Sequence, residues 1–153
     1  MTKNPKQCGA RCDECPLGPN GALQKDEWRP VTGEFHPGAK ILALGEAPRA
    51  EDVLGGRPIM GSAAPEWARF LSSAGWNRTH VDLDNVIACK PPGKEGGAWN
   101  RMEKSLDRLN KKRIAKGQDP LPHPIDCCRP RLESVINQYS NFIAFGKTAT
   151  RVL

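Results

Sequence analysis

The apolar run Ile41-Leu42-Ala43-Leu44 stops at Gly45 and passes at once into Glu46-Ala47-Pro48, and this junction limits what the chain can fold into. Four or more apolar residues bounded by turn signals predict a buried strand. Gly45 reaches backbone angles closed to other residues, and Pro48 fixes its own φ and gives up a donor, so the strand ends here. Open α/β sheets bind ligands outside the carboxyl ends of their strands. Glu46, the first residue of the loop, is therefore a carboxylate placed where a ligand would lie.

Two later stretches repeat the pattern. Val81-Asp82-Leu83-Asp84-Asn85-Val86-Ile87-Ala88 alternates and then turns apolar, predicting a second strand that stops at Cys89-Lys90-Pro91-Pro92-Gly93. Asn141-Phe142-Ile143-Ala144-Phe145 predicts a third, stopped by Gly146. Pro65-Glu66-Trp67 opens a helix whose Trp67, Phe70, Leu71 and Ala74 form one apolar stripe, with Gly75 as its end. That spacing assigns its aromatic residues to packing. Cys127-Cys128-Arg129-Pro130 begins another helix, with Leu132, Val135, Ile136 and Tyr139 along one face, and a further helix starts at Lys147. Strands alternating with helices imply an α/β fold, a three-layer α/β/α sandwich with a mostly parallel central sheet. The carboxyl ends of the strands then gather Glu46, Asn85, Cys89 and Gly146. Asn85 lies inside a strand pattern, where a buried amide must satisfy its donors and acceptor on a neighbouring loop or on a ligand.

Residues 1–38 carry turn chemistry and little periodicity, so they form an arm that needs a staple, and residues 39–153 form the α/β domain. Residues 94–122 are a basic insertion. Trp99, Met102, Leu106 and Leu109 give its first half an amphipathic helical spacing, and Lys111-Lys112-Arg113 with Lys116 makes a dense positive patch, a solvated face or a phosphate contact. Lys and Arg number 23 against 17 Asp and Glu, a net charge of +6 that suits nucleic acid as a partner. No run has the length of a membrane span, and the polar start MTKNPKQ lacks the apolar core of a signal peptide, so a cytoplasmic protein is expected.

Without a secretory signal, the 6 cysteines argue for a metal or cluster before disulfides. Cys12 and Cys15 form a CxxC that two thiolates of one centre can use, while Cys89 and Cys128 are dispersed. By spacing, an iron–sulfur cluster, a zinc ion and unligated buried thiols all remain open.

Six motifs occur in order: CDECPL (12–17), GEAPRAED (45–52), GRPIMGSA (56–63), DNVIACKPPG (84–93), CCRPRL (127–132) and FIAFGKTA (142–149). Together they resemble the iron–sulfur uracil-DNA glycosylases of the family 4 type. The resemblance implies that Cys12, Cys15, Cys89 and Cys128 hold a [4Fe-4S] cluster, with Cys128 preferred over Cys127 because Cys-x-Pro-x-Leu is the family pattern. It implies a catalytic Glu46, with Gly45, Ala47, Ile59 and Asn85 around a flipped uracil that Asn85 reads, and uracil-containing DNA as the partner. Arg49, Lys111, Lys112 and Arg113 would contact the phosphates. The expected protein is a monomer or a domain of a larger polypeptide.

The chain departs from that pattern in three places. Ile59 stands where the family has an aromatic residue, Arg49 where it has glycine, and the family's late His-Pro motif has no counterpart before Leu153. His123-Pro124 precedes the third strand and is not equated with it. The insertion also resembles the superfamily branch that traps uracil sites covalently, but Ala115 occupies the position of the reactive histidine. The expected activity is hydrolysis of the N-glycosidic bond of deoxyuridine; the alternative is a catalytically silent DNA-binding domain of the same fold.

Overall fold

The computed structural model describes residues 5–94 and 96–153; residues 1–4 of the polar start and Glu95 of the insertion lie outside the described residues. Three strands form a parallel sheet in the order β2-β1-β3. They are β1 (Ile41–Gly45), β2 (Asp82–Asn85) and β3 (Asn141–Ala144). Gly45 pairs with Asn85 and Leu44 with Ala144, so the three carboxyl ends come level. Among the helices, α1 (Ala50–Gly55) and α2 (Ala63–Ser73) follow β1, α3 (Ala98–Ile114) and α4 (Pro124–Ile136) follow β2, and α5 (Gly146–Val152) follows β3.

Side-chain alternation along the strands divides the core in two. Ala43 and Leu83 face Trp67 and Leu71 of α2 on one side. Leu44 faces Met102 and Leu106 of α3, Leu132 of α4 and Ala149 of α5 on the other. This is a layered α/β arrangement with helices on both faces.

Several element bounds differ from the sequence expectation. The second strand covers Asp82–Asn85 rather than 81–88, because the chain bends after Asn85 while Val86 and Ile87 still donate to Gly45 and Glu46 carbonyls at 2.8 and 3.2 Å. The third stops at Ala144, although the Phe145 N–H donates to the Leu44 carbonyl at 2.9 Å. Helix α2 begins at Ala63, which leaves Pro65 inside the first turn, where its absent N–H has no helical partner to lose. Gly75, at φ +72°, turns left-handed and lets the Trp76 N–H return to the Leu71 carbonyl at 2.9 Å. The expected core stripe of α2 is half right. Trp67 and Leu71 are buried, whereas Phe70, 51% exposed, borders an open cavity and Ala74 is exposed.

Helix α4 begins at Pro124, three residues before Cys127, so Pro130 lies in its interior. Such a proline leaves the carbonyl four residues back without its helical donor. That carbonyl belongs to Asp126, and the Arg11 guanidinium donates to it at 3.2 Å. The Arg11 backbone N–H also reaches the Cys127 carbonyl at 2.9 Å, so the arm is laid along α4 by two carbonyls, one of them freed by the proline. Farther along, Glu34 bridges Leu83 antiparallel and covers the outer edge of β2. Helix α3 runs through Lys111-Lys112-Arg113, longer than the first half of the insertion.

Candidate active site

Level carboxyl ends leave a cavity of about 810 Å³, lined by Gly45, Glu46 and Ala47 after β1, Asn85 at the end of β2 and Phe145 after β3. Ile59, Trp67 and Phe70 wall it from the α2 side, and Arg49 stands at its rim. Glu46 and Asn85, 39 positions apart, thus face one space (85 − 46). Cys89, grouped with them by sequence, does not line it; the chain has bent into the core by then, and Cys89 is buried among the other cysteines.

Each polar group here is placed by a local cause. Asn85 shares its face with Leu83, so its amide points to the α2 side, and it is 6% exposed. A side-chain carbon at position 45 would run into Asn85 Oδ1, so only glycine lets the amide lie across β1. Nδ2 of that amide has no partner among the described residues. Glu46 is half-buried, and its Oε2 accepts a 2.5 Å hydrogen bond from Thr148 Oγ1 in the first turns of α5. Thr148 escaped the sequence reading because nothing in its neighbourhood signals contact with a residue 102 positions earlier.

Ile59 is the one non-glycine residue with positive φ among the described residues, at +54°. A β-branched side chain there is strained by about 1–3 kcal/mol and persists only if its surroundings hold it. Arg78 does so, donating to the carbonyls of Pro58 and, at 3.1 Å, of Ile59. Its other donors clasp the Glu34 carboxylate at 2.7 to 3.0 Å. Burial opposes ionisation of Glu34, but the Arg78 guanidinium prevails and holds the carboxyl below its usual range.

A lowered folded pKa means that the stabilisation is complete above the ordinary carboxylate value, near 4.3, and is lost as pH falls through the folded one. Urea midpoints of wild type and Glu34→Gln are therefore expected to differ at pH 7 and to draw together as the pH falls below the ordinary carboxylate range. A gap that stayed constant down to the onset of acid unfolding would refute the ion pair's role.

A hollow of comparable size, about 890 Å³, lies near the amino end of β2. Its carboxylates are already engaged: Asp82 with the Tyr139 hydroxyl, Glu34 with Arg78, and Asp84 with Arg131. The cavity at the carboxyl ends instead sets an unpartnered amide nitrogen beside a carboxylate with one oxygen still open.

Five cysteines gather on the opposite face of the sheet. Cys12, Cys15, Cys89, Cys127 and Cys128 are all buried, while Cys8 is only partly so and stands apart. Burial, then the neighbouring Cys128, pushes the Cys12 thiol up to about 11. Burial pushes Cys89 up to about 12, again with Cys128 as the nearest like charge, while the Trp28 indole N–H works the other way. Cys15 is raised chiefly by its hydrogen bond with Cys127. Among the described residues no three His, Cys, Asp or Glu side chains stand as a closed ligand set. The donor chemistry nevertheless fits a thiolate-bound centre, because thiols that burial keeps neutral ionise together only around a cation.

The basic residues are not drawn together. Lys111, Lys112 and Arg113 occupy the last turn of α3, and Arg113 Nε is bonded to the Asp119 carbonyl at 2.7 Å. At 1.5 Å per residue they lie roughly 20 Å along the helix from Trp99, which borders a smaller hollow beside Glu46 and Arg49. His123 caps α4, its Nδ1 accepting from the Ile125 N–H at 3.2 Å. Among the described residues no helix is long and apolar enough to cross a membrane.

Residues 32–153 match the family model of the uracil DNA glycosylase superfamily. A type-4 uracil-DNA glycosylase of Pyrobaculum aerophilum is 36% identical over 98 residues, covering 64% of this chain and 47% of that protein. One from Archaeoglobus fulgidus is 33% identical over 87 residues, 57% of this chain and 44% of that protein. One from Saccharolobus solfataricus is 30% identical over 138 residues, 90% of this chain and 56% of that protein. The chain spans about half the length of the curated relatives it matches.

Proposed function

The chain belongs to the uracil DNA glycosylase superfamily, and from that membership we propose that it releases uracil from DNA by hydrolysing the N-glycosidic bond of deoxyuridine. The observation that carries this reading is the Asn85 amide, buried across Gly45 with Nδ2 unpartnered in a cavity that Glu46 shares. A buried donor without a partner is costly, and a ligand carbonyl satisfies it. Uracil offers a carbonyl beside an N–H, so Nδ2 donates to one and Oδ1 accepts from the other. A base reaches such a cavity only by leaving the stack, which costs least in single-stranded or mispaired DNA.

Glu46 then serves the reacting carbon. Thr148 occupies Oε2, which leaves Oε1 to accept a proton from water or to face the positive charge that develops on the sugar. Water oxygen bonds to C1′ as the C1′–N1 bond breaks, its pair of electrons departs with the base, and the water proton ends on Glu46 or solvent. Ile59 presses on the base as an apolar wall in place of a stacking ring. Arg49 at the rim and Lys111, Lys112 and Arg113 at the far end of α3 give the phosphates two separated cationic contacts, and their loss steepens with salt.

Cys12, Cys15, Cys89 and Cys128 are the residues that would hold a [4Fe-4S] cluster. When bound, that group supplies a structural cross-link between the arm, the loop after β2 and α4. Zinc on the same thiolates is the second possibility, and anaerobic purification separates them by colour.

The test is direct: a uracil-containing oligonucleotide, single- and double-stranded, is incubated with the protein and free uracil is measured. Release by wild type with a loss of tenfold or more in Asn85→Ala supports the reading. DNA binding without release would make the chain a silent DNA-binding member of the fold.

A further inference from the structure

Asn85 is not the only orphan in the cavity. Trp67 is 5% exposed, lines the same space, and its indole Nε1 has no partner among the described residues. Its ring is fixed on two sides, with Phe70 stacked at 5.5 Å and Phe145 edge-on at 5.3 Å. An indole N–H only donates, and a buried one is usually paired. The Trp28 indole differs: it packs in the other core, where its N–H is directed at the Cys89 sulfur. Trp67 shares its cavity with the recognition amide, on the same side of the sheet as Leu83 and Asn85.

We propose that the Trp67 indole N–H is a second donor to the bound base, so that Trp67 reads the ligand as well as packing the core. This rests on the base-release reading above and deepens it. Asn85 takes an N–H and the carbonyl on one side of it; the indole takes the carbonyl on the other. The cavity then presents donor, acceptor, donor, which complements a ring edge of carbonyl, N–H, carbonyl. The imide of a pyrimidine-dione such as uracil has that edge. Cytosine does not, because it offers acceptor, acceptor, donor and would set its amino group against a donor of the site. Discrimination of this polar kind is large, since the wrong base leaves buried groups unpaired.

Two readouts test it. In the 153-residue protein labelled with ¹⁵N-tryptophan, the cross-peak lost in Trp67→Phe identifies the Trp67 indole. Should that variant not fold, the peak is assigned by elimination with Trp28→Phe, Trp76→Phe and Trp99→Phe. Saturating free uracil is expected to shift this peak downfield more than the other three, and a peak that does not move overturns the proposal. In the release assay, Trp67→Phe keeps a ring but removes the donor, and kcat/KM for uracil is expected to fall about tenfold to a hundredfold. One of the two substrates carrying 2-thiouracil or 4-thiouracil, whose sulfur accepts poorly, should slow wild type but not slow the variant further. Active wild type with Trp67→Phe within about twofold of it overturns the indole contact alone. Wild type that releases nothing while its Trp67 peak responds to uracil keeps the contact and removes the enzyme reading. Silence in both experiments removes both.

Discussion

In Glu46→Gln, the proposed release of uracil from DNA is expected to fall by about a hundredfold to ten-thousandfold, while free uracil still binds with near wild-type affinity. Glutamine keeps the length of the side chain, and its amide oxygen still accepts from Thr148, so the 2.5 Å contact to α5 survives the change. What disappears is the negative charge, which is needed when the sugar turns cationic and when water gives up its proton. The effect therefore belongs to kcat rather than to KM. Single-turnover release of uracil from a labelled oligonucleotide measures it. A variant that kept a third or more of the wild-type rate would remove Glu46 from the chemistry and leave it as a cavity wall.

Arg131→Met is expected to destabilise the fold by about 3–5 kcal/mol, because it strips a buried carboxylate of the one cation paired with it among the described residues. Arg131 Nη1 donates to Asp84 Oδ2 at 2.6 Å, with side chains 2% and 0% exposed. Burial pushes the Asp84 carboxyl up, and the guanidinium is the main influence against it; without Arg131 only the Asn85 N–H still opposes the upward push. Arg131 Nη2 also donates to the Asn85 carbonyl at 2.6 Å, and the Asn85 N–H donates to Asp84 Oδ1 at 2.7 Å. The pair thus grips the peptide that carries the Asn85 amide. Chemical denaturation measures the loss, and Asp84→Leu added to Arg131→Met should return part of it, since well-packed apolar residues can replace a buried ion pair. A single variant within about 1 kcal/mol of wild type would show that Asp84 is held by something other than its arginine.

The sheet was legible because its evidence is local. Ile41-Leu42-Ala43-Leu44 is apolar, is followed by glycine, and becomes the buried central strand. Asn85 stood out for the same reason, as an amide inside a strand pattern. Trp67 shows where periodicity fails: its spacing correctly places it in the core, yet says nothing of whether its N–H finds a partner there. Phe70 repeats the lesson in reverse, since a stripe residue can border an open cavity instead of the core. Thr148 and Arg78 were invisible because each acts on a segment distant in sequence, Thr148 on Glu46 and Arg78 on Pro58, Ile59 and Glu34. Pro130 was read as a helix start, whereas the structure accommodates it mid-helix by sending Arg11 to the Asp126 carbonyl.

The strand order also governs how the molecule comes into being. The central strand is the first in the chain; Gly45 meets Asn85 across 40 positions (85 − 45), and Leu44 meets Ala144 across 100 (144 − 44). The longer closure costs only about 0.8 kcal/mol more entropy, but parallel pairings at such separations are slow to form. The shorter closure brings Glu46 and Asn85 together, whereas Phe145 and the threonine bonded to the carboxylate reach the cavity only through the longer one.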